Sequence, residues 1–178
     1  MYRTKNDLPE NLRATVGHEM NTTLAGLIDL QLQAKNAHWN LKGQNFIALH
    51  ELFDQIVAAV QGYADLIAER IVQLGGVAEG TLQSVAKASQ LSPYPQNIGD
   101  WNHHVEALSA AIAYVGEQAR EGIEKTDGLG DRDTADILTE ISRGLDKWLW
   151  FVEAHLQTES ARETRGSRQV EAKSGRRR

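Results

Sequence analysis

The chain has no cysteine. That excludes disulfide frameworks, thiolate metal sites and a cysteine nucleophile. It fits a reducing compartment, and the cytoplasm is the expected location. Prolines number only three in 178 residues, and long stretches carry no turn signal, so an all-helical protein is expected. No apolar run approaches the roughly 20 residues that cross a bilayer, and no membrane partner is expected. The opening residues, MYRTKNDLPENLR, contain no apolar signal-peptide core.

What is present is a single domain's worth of chain, long enough to bury a real core. The net charge of −5 hides an asymmetry. From Arg162 onward there are seven basic residues (Arg162, Arg165, Arg168, Lys173, Arg176, Arg177 and Arg178) against Glu163 and Glu171, a net +5. The remainder holds 12 basic and 22 acidic residues, a net −10. Residues 1–161 therefore read as the folded domain. Residues 162–178 read as a basic tail, low in apolar residues and expected to be disordered.

Four long helices are expected. The first runs from Leu8–Pro9 to about Leu41 and stops at Lys42-Gly43. The second runs from Asn45 to Leu74, with Leu49, Leu52, Phe53, Ile56, Val60, Tyr63, Ile67 and Ile71 as its apolar stripe, and ends at Gly75-Gly76. A long crossover follows, with a short helix near Leu82–Lys87. The third long helix spans Asp100 to Thr126. The fourth starts at Asp133, its expected N-cap, and fades near Ala161. Four helices with one long middle crossover match a ferritin-like bundle.

Five residues carry the chemistry: His38, His50, Asp54, Asp65 and Glu69. His50/Asp54 and Asp65/Glu69 are i,i+4 pairs, each stacked on one helix face. Imidazole and carboxylate without thiolate suit iron, manganese or zinc. A lone histidine on a half-apolar helix is ordinarily a packing residue, and one i,i+4 charged pair is ordinarily a solvated face. Two pairs in phase are the signal. Asp54 and Asp65 are 11 residues apart, three turns plus about 20°, and therefore nearly on one face but about 16 Å apart along the axis. A ligand atom sits about 2 Å from its metal, so the two pairs of one helix cannot share a site. Either they serve separate sites, or a second, antiparallel subunit brings its Asp65/Glu69 beside the first chain's His50/Asp54. A two-fold interface does the latter automatically. The Glu-x-x-His pairs of a conventional di-iron bundle do not occur in this sequence; Asp100-x-x-His103 is the nearest analogue.

The stretches AHWNLKG (37–43), FIALHELFD (46–54), YADLIAER (63–70), TADILT (134–139) and KWLWF (147–151) closely resemble the Dps family, the mini-ferritins or DNA-binding proteins from starved cells. The likeness covers about residues 8–157. It implies a hollow shell of twelve subunits, each a four-helix bundle with a short helix in the crossover. It implies ferroxidase sites at two-fold interfaces, with His38, His50 and Asp54 from one subunit and Asp65 and Glu69 from the other. All five positions are filled. The implied reaction oxidises Fe²⁺, typically with hydrogen peroxide, stores ferric iron in the cavity and protects DNA from oxidative damage.

Around that site, Lys35 is placed either to pair with a ligand carboxylate or to stand as a solvated surface lysine. Trp39 reads mainly as interface packing, while the resemblance implies a place near the iron and a part in electron or radical transfer. By the same resemblance, Asp127 and Asp136 line acidic pores that admit Fe²⁺, while Asp131 reads as a turn residue. His18, His103, His104 and His155 read as surface or packing residues, and Trp101, Trp148 and Trp150 as core or interface. Twelve tails would place about +60 charge around a shell, enough for sequence-independent binding of double-stranded DNA. The alternative function is therefore a nucleoid-associated, DNA-compacting shell that works mainly through its tails. A manganese- or zinc-binding shell would share the same ligands.

Overall fold

In a computed structural model the backbone is described for residues 1–174 and side chains for residues 1–157. The described residues form five helices and no strand: α1 (Glu10–Asn40), α2 (Phe46–Gln73), α3 (Leu82–Ala88), α4 (Trp101–Gly128) and α5 (Arg132–Ser174). The four long helices and the short crossover helix fall where the apolar periodicity places them.

Each boundary has a local cause. Pro9 precedes the first turn of α1, where a missing N–H costs nothing. The α2 C-terminus is a Schellman closure: Gly75, at φ +87°, donates to the Val72 carbonyl at 2.9 Å, and Gly76 donates to Ile71 at 2.9 Å. The same closure ends α4. There Gly130, at φ +89°, donates to Asp127 at 2.9 Å, and Asp131 donates to Thr126 at 2.9 Å. A side chain at either glycine would sit in a backbone region that costs an L-residue about 1–2 kcal/mol.

Asp131 then starts α5. Its Oδ1 accepts from the Thr134 amide at 3.1 Å, and its Oδ2 from the Thr134 hydroxyl at 2.6 Å. This corrects the sequence expectation: the N-cap is Asp131, and Asp133 lies in the first helical turn. Asp131 wins because α4 closes at Gly130, so the chain has already turned when it reaches residue 131. At the other end, α5 runs on to Ser174, with no break at Ala161. Glutamate, alanine, arginine and glutamine dominate that stretch and favour the helix. The tail arginines and lysine (Arg162, Arg165, Arg168 and Lys173) lie outside the described side chains, and Arg176, Arg177 and Arg178 outside the described residues altogether.

The bundle is two hairpins, α1–α2 and α4–α5, packed around a core that includes Met20, Leu24, Leu27, Phe53, Ile56, Ile67, Leu108 and Ile141. Each such side chain contributes about 1.5–3 kcal/mol on burial. α3 and its flanking loops lie across α1. Asn21 holds them like a peptide, donating to the Val77 carbonyl at 3.0 Å and accepting from the Glu79 amide at 2.9 Å. Further on, the Ser89 hydroxyl donates to Asp29, and Gln33 donates to the Ser92 carbonyl at 3.1 Å. On the far side of α2, Arg70 reaches the α4–α5 turn. Its Nη2 donates to Asp131 at 2.6 Å and its Nε to the Thr134 hydroxyl at 2.9 Å.

Candidate metal centre

His38 ends α1 and His50 opens α2, and the short 41–45 turn brings their rings together. The rings stack with centroids 3.6 Å apart. His38 Nδ1 donates to the His50 carbonyl at 2.8 Å, and His50 Nδ1 donates to the His38 carbonyl at 3.0 Å. A carbonyl only accepts, so each Nδ1 carries its proton. In the neutral ring the lone pair is then on Nε2, the form that ligates a metal. The His38 carbonyl belongs to the last turn of α1, where no helical partner remains, so the contact also closes that helix. Phe46 packs on His50 with centroids 5.0 Å apart.

Asp54 sits one turn beyond His50 and is exposed. It forms an ion pair with Lys35 of α1, the pairing expected from the sequence. The Lys35 hydrogen bond is the main cause that holds the Asp54 carboxyl below its ordinary range; loss of solvent opposes it, and the charge of Lys35 and the nearby histidines adds to the lowering. Trp39 lies beside His38 and is 68% exposed, so within one chain it packs little and is presented outward.

Asp65 and Glu69 lie on the same outward stripe of α2, both exposed. Asp65 borders an open groove of about 600 Å³ with Leu24, Ile28, Ala58, Gly62 and Ala68. Among the described residues, no three of His, Cys, Asp and Glu converge into a group that could hold a metal within one chain. The histidine half and the Asp65/Glu69 half are thus separate in the subunit, as the 11-residue gap requires. Large apolar side chains are exposed on the same helices and crossover: Leu32, Ile47, Leu66, Val72, Val77 and Leu82.

Asp127 and Asp136 flank the α4–α5 turn and are exposed. Asp127 lies 3.8 Å from Arg132. Asp131, between them, is 2% exposed and is committed to the cap and to Arg70. Of the other histidines, His18 and His103 are exposed, while the His155 Nδ1 meets the Phe151 carbonyl at 2.9 Å. His104 is buried and bonded to Tyr94. Trp101 and Trp148 pack on the core, whereas Trp150 is exposed. Sequence spacing alone missed two polar networks, Arg70–Asp131–Thr134 and Tyr94–His104. The first joins residues 61 apart, and the second joins residues 10 apart across an irregular loop, so neither has a periodic pattern to display it.

The fold and this site define a ferritin-like protein, and a ferritin-like domain model matches residues 18–161. The chain is 48% identical over 159 residues to a DNA protection during starvation protein of Agrobacterium fabrum, covering 89% of this chain and 98% of that one. It superposes on Mycobacterium smegmatis Dps, tetragonal form, with TM-score 0.83 and 35% identity over 88% of this chain and 94% of that one. It also superposes on Dps from Microbacterium arborescens in the high iron form, with TM-score 0.78 and 32% identity over 86% and 98% of the two chains. Within the ferritin-like class, the chain belongs to the Dps family.

Proposed function

We propose that the protein is a ferroxidase and iron store whose sites form between subunits of a twelve-subunit shell. Fe²⁺ is the substrate. His38, His50 and Asp54 of one chain hold it together with the partner's Asp65 and the partner's Glu69. The observation that carries this reading is the reciprocal bond between His38 and His50, which fixes both rings and leaves the Nε2 of each neutral imidazole as its ligating atom, with Asp54 one helical turn beyond His50.

An antiparallel pairing of α2 with a second copy completes the site. The register that sets Asp54 opposite the partner's Asp65 sets His50 opposite the partner's Glu69. It also sets Ala58 opposite the partner's Gln61 and Val57 opposite the partner's Gly62. Ala58 and Gly62 are small and let the helices approach at the crossing, and the exposed apolar side chains of α1, α2 and the crossover would be covered.

Each hydrogen peroxide takes one electron from each of two Fe²⁺ and, with two protons, leaves as two waters. Carboxylates favour the harder Fe³⁺ product, while imidazole retains Fe²⁺. Lys35 pairs with the Asp54 carboxylate before metal arrives and balances its charge. Asp127 and Asp136 are the pore carboxylates that concentrate Fe²⁺ at entry, and ferric mineral collects in the cavity. Consuming both iron and peroxide protects DNA, the role named for the Agrobacterium relative.

A second reading, compaction of double-stranded DNA in a cytoplasmic nucleoid, is favoured by the +5 tail on a −10 body. No described helix is long and apolar enough to cross a membrane. The two readings separate cleanly. The double substitution His50→Ala/Asp54→Ala abolishes rapid Fe²⁺ oxidation and leaves DNA binding intact. An unchanged oxidation rate in that variant rejects the assigned site.

A further inference from the structure

The crossover into α4 buries a phenol against an imidazole. Tyr94 is 9% exposed and His104 is 1% exposed, and the Tyr94 hydroxyl lies 2.8 Å from His104 Nδ1. Burial raises the Tyr94 pKa far above its ordinary value, so the phenol keeps its proton. Burial lowers that of His104, so the ring is neutral. The hydroxyl therefore donates and Nδ1 accepts. The ring proton is then on Nε2. The Ile98 backbone favours the charged ring, although Nε2 makes no hydrogen bond of good geometry.

The pair sits against the stretch of α1 that carries His38. Tyr94 lines a surface cavity with Gln33 and Asn36, and His104 lines the adjoining one with Asn36 and Asn40. Asn36 and Asn40 bracket His38, whose ring turns the other way, toward α2. About one helix width, roughly 10–12 Å, separates the two sides.

We propose that Tyr94, with His104 as its proton acceptor, is a one-electron donor to the peroxide reaction at the iron site. The proposal rests on the ferroxidase reading above. Peroxide needs two electrons, and a site holding a single Fe²⁺ supplies one. Tyr94 supplies the other: its O–H bond breaks, the electron passes across α1 to peroxide, and the proton moves to His104 Nδ1. One Fe²⁺, the phenol, one peroxide and two solvent protons give one Fe³⁺, a phenoxyl radical beside an imidazolium, and two waters. A later Fe²⁺ returns the electron, and His104 returns the proton. The pair thereby keeps a half-loaded site from releasing hydroxyl radical.

The test uses the assembled, full-length protein loaded with one Fe²⁺ per site, mixed with hydrogen peroxide and freeze-quenched for electron paramagnetic resonance. A tyrosyl signal is expected, with hyperfine structure that changes when ring-deuterated tyrosine is incorporated. Tyr94→Phe should lose it, while oxidation with two Fe²⁺ per site keeps its rate. His104→Asn retains a hydrogen-bond acceptor but cannot take the proton, and should lower the radical yield. A full signal in Tyr94→Phe overturns the proposal, as does iron oxidation without any tyrosyl signal in the unsubstituted protein. A His104→Asn protein that loses stability but keeps its radical yield reduces the pair to a structural strap. Should Tyr94→Phe fail to assemble, oxidised tyrosine is mapped in the unsubstituted protein after repeated single-iron cycles. Modification concentrated at Tyr94 supports the proposal, and modification concentrated at Tyr2, Tyr63 or Tyr114 rejects it. A protein that oxidises no Fe²⁺ at all brings down the ferroxidase reading, and this inference with it.

Discussion

His38 and His50 hold each other in place: their rings stack 3.6 Å apart, and each Nδ1 donates to the other's backbone carbonyl. An alanine at either position removes the stacking partner but leaves the backbone carbonyl that accepts from the other ring. Both imidazoles serve one proposed site, and each is of use there only with the other. His38→Ala and His50→Ala should each slow Fe²⁺ oxidation nearly as much as the double substitution, the non-additivity expected of groups that act as a unit. Stopped-flow oxidation rates of the three variants provide the check. Rate losses that simply add would mean the rings act separately.

The two halves of the proposed site come from different chains, which makes them separable by mixing. A shell of His50→Ala chains and a shell of Asp65→Ala chains should each be inactive. Dissociated and reassembled together, half of the dimers pair unlike chains, and each of these keeps one intact site. About a quarter of the sites should return, from the two-fold symmetry alone. No recovery on mixing, with assembly confirmed by light scattering, places all ligands within one chain and rejects the register.

Lys35 is the principal cause of the lowered Asp54 pKa. A lowered value means the carboxylate persists to lower pH than an isolated aspartate would. Without Lys35, Asp54 takes up its proton at higher pH and stops being a metal ligand sooner on acidification. Lys35→Met should thus raise the pH at which the Asp54 carboxyl takes up its proton, read from its side-chain carboxyl NMR shift in the metal-free protein. Superimposable titration curves for the two proteins would remove Lys35 as the cause.

Much of this was written in the sequence. The helix stripes, the Gly75-Gly76 stop and the 11-residue separation of Asp54 from Asp65 are local or periodic features, which a sequence displays directly. Lys35–Asp54 was within reach because both residues flank histidines already singled out. The N-cap of α5 was misplaced by two residues because Asp131 and Asp133 are both good caps, and only the closure of α4 at Gly130 decides between them. Arg70–Asp131 and Tyr94–His104 were not legible. The first joins residues 61 apart, and the second depends on how the crossover folds back over α4.

Arg70 and Asp131 are both buried, with side chains 7% and 1% exposed. They tie α2, which carries Asp65 and Glu69, to the turn between Asp127 and Asp136. Breaking a buried pair by removing one partner costs about 3–5 kcal/mol, because the other charge is left unpaired. Arg70→Met or Asp131→Asn should lower stability by that order. The double variant should lose less than the sum of the two. Chemical denaturation followed by circular dichroism measures all three. A double variant as unstable as the sum would show that the two side chains are not coupled.

The basic segment from Arg162 onward carries +5, while the rest of the chain carries −10. An acidic shell repels phosphate, so any DNA binding has to come from the tails. Truncation after Ala161 should abolish DNA binding and leave Fe²⁺ oxidation unchanged, because every proposed ligand lies between residues 38 and 69. Binding through tails also fixes the salt dependence. Counterion release gives a slope of log affinity against log salt of roughly −0.9 per neutralised phosphate. Each engaged tail, at +5, then contributes a slope of roughly −4.5. Titration of duplex DNA at several salt concentrations reads this number. A truncated shell that binds as tightly at equal salt removes the tail from the interaction.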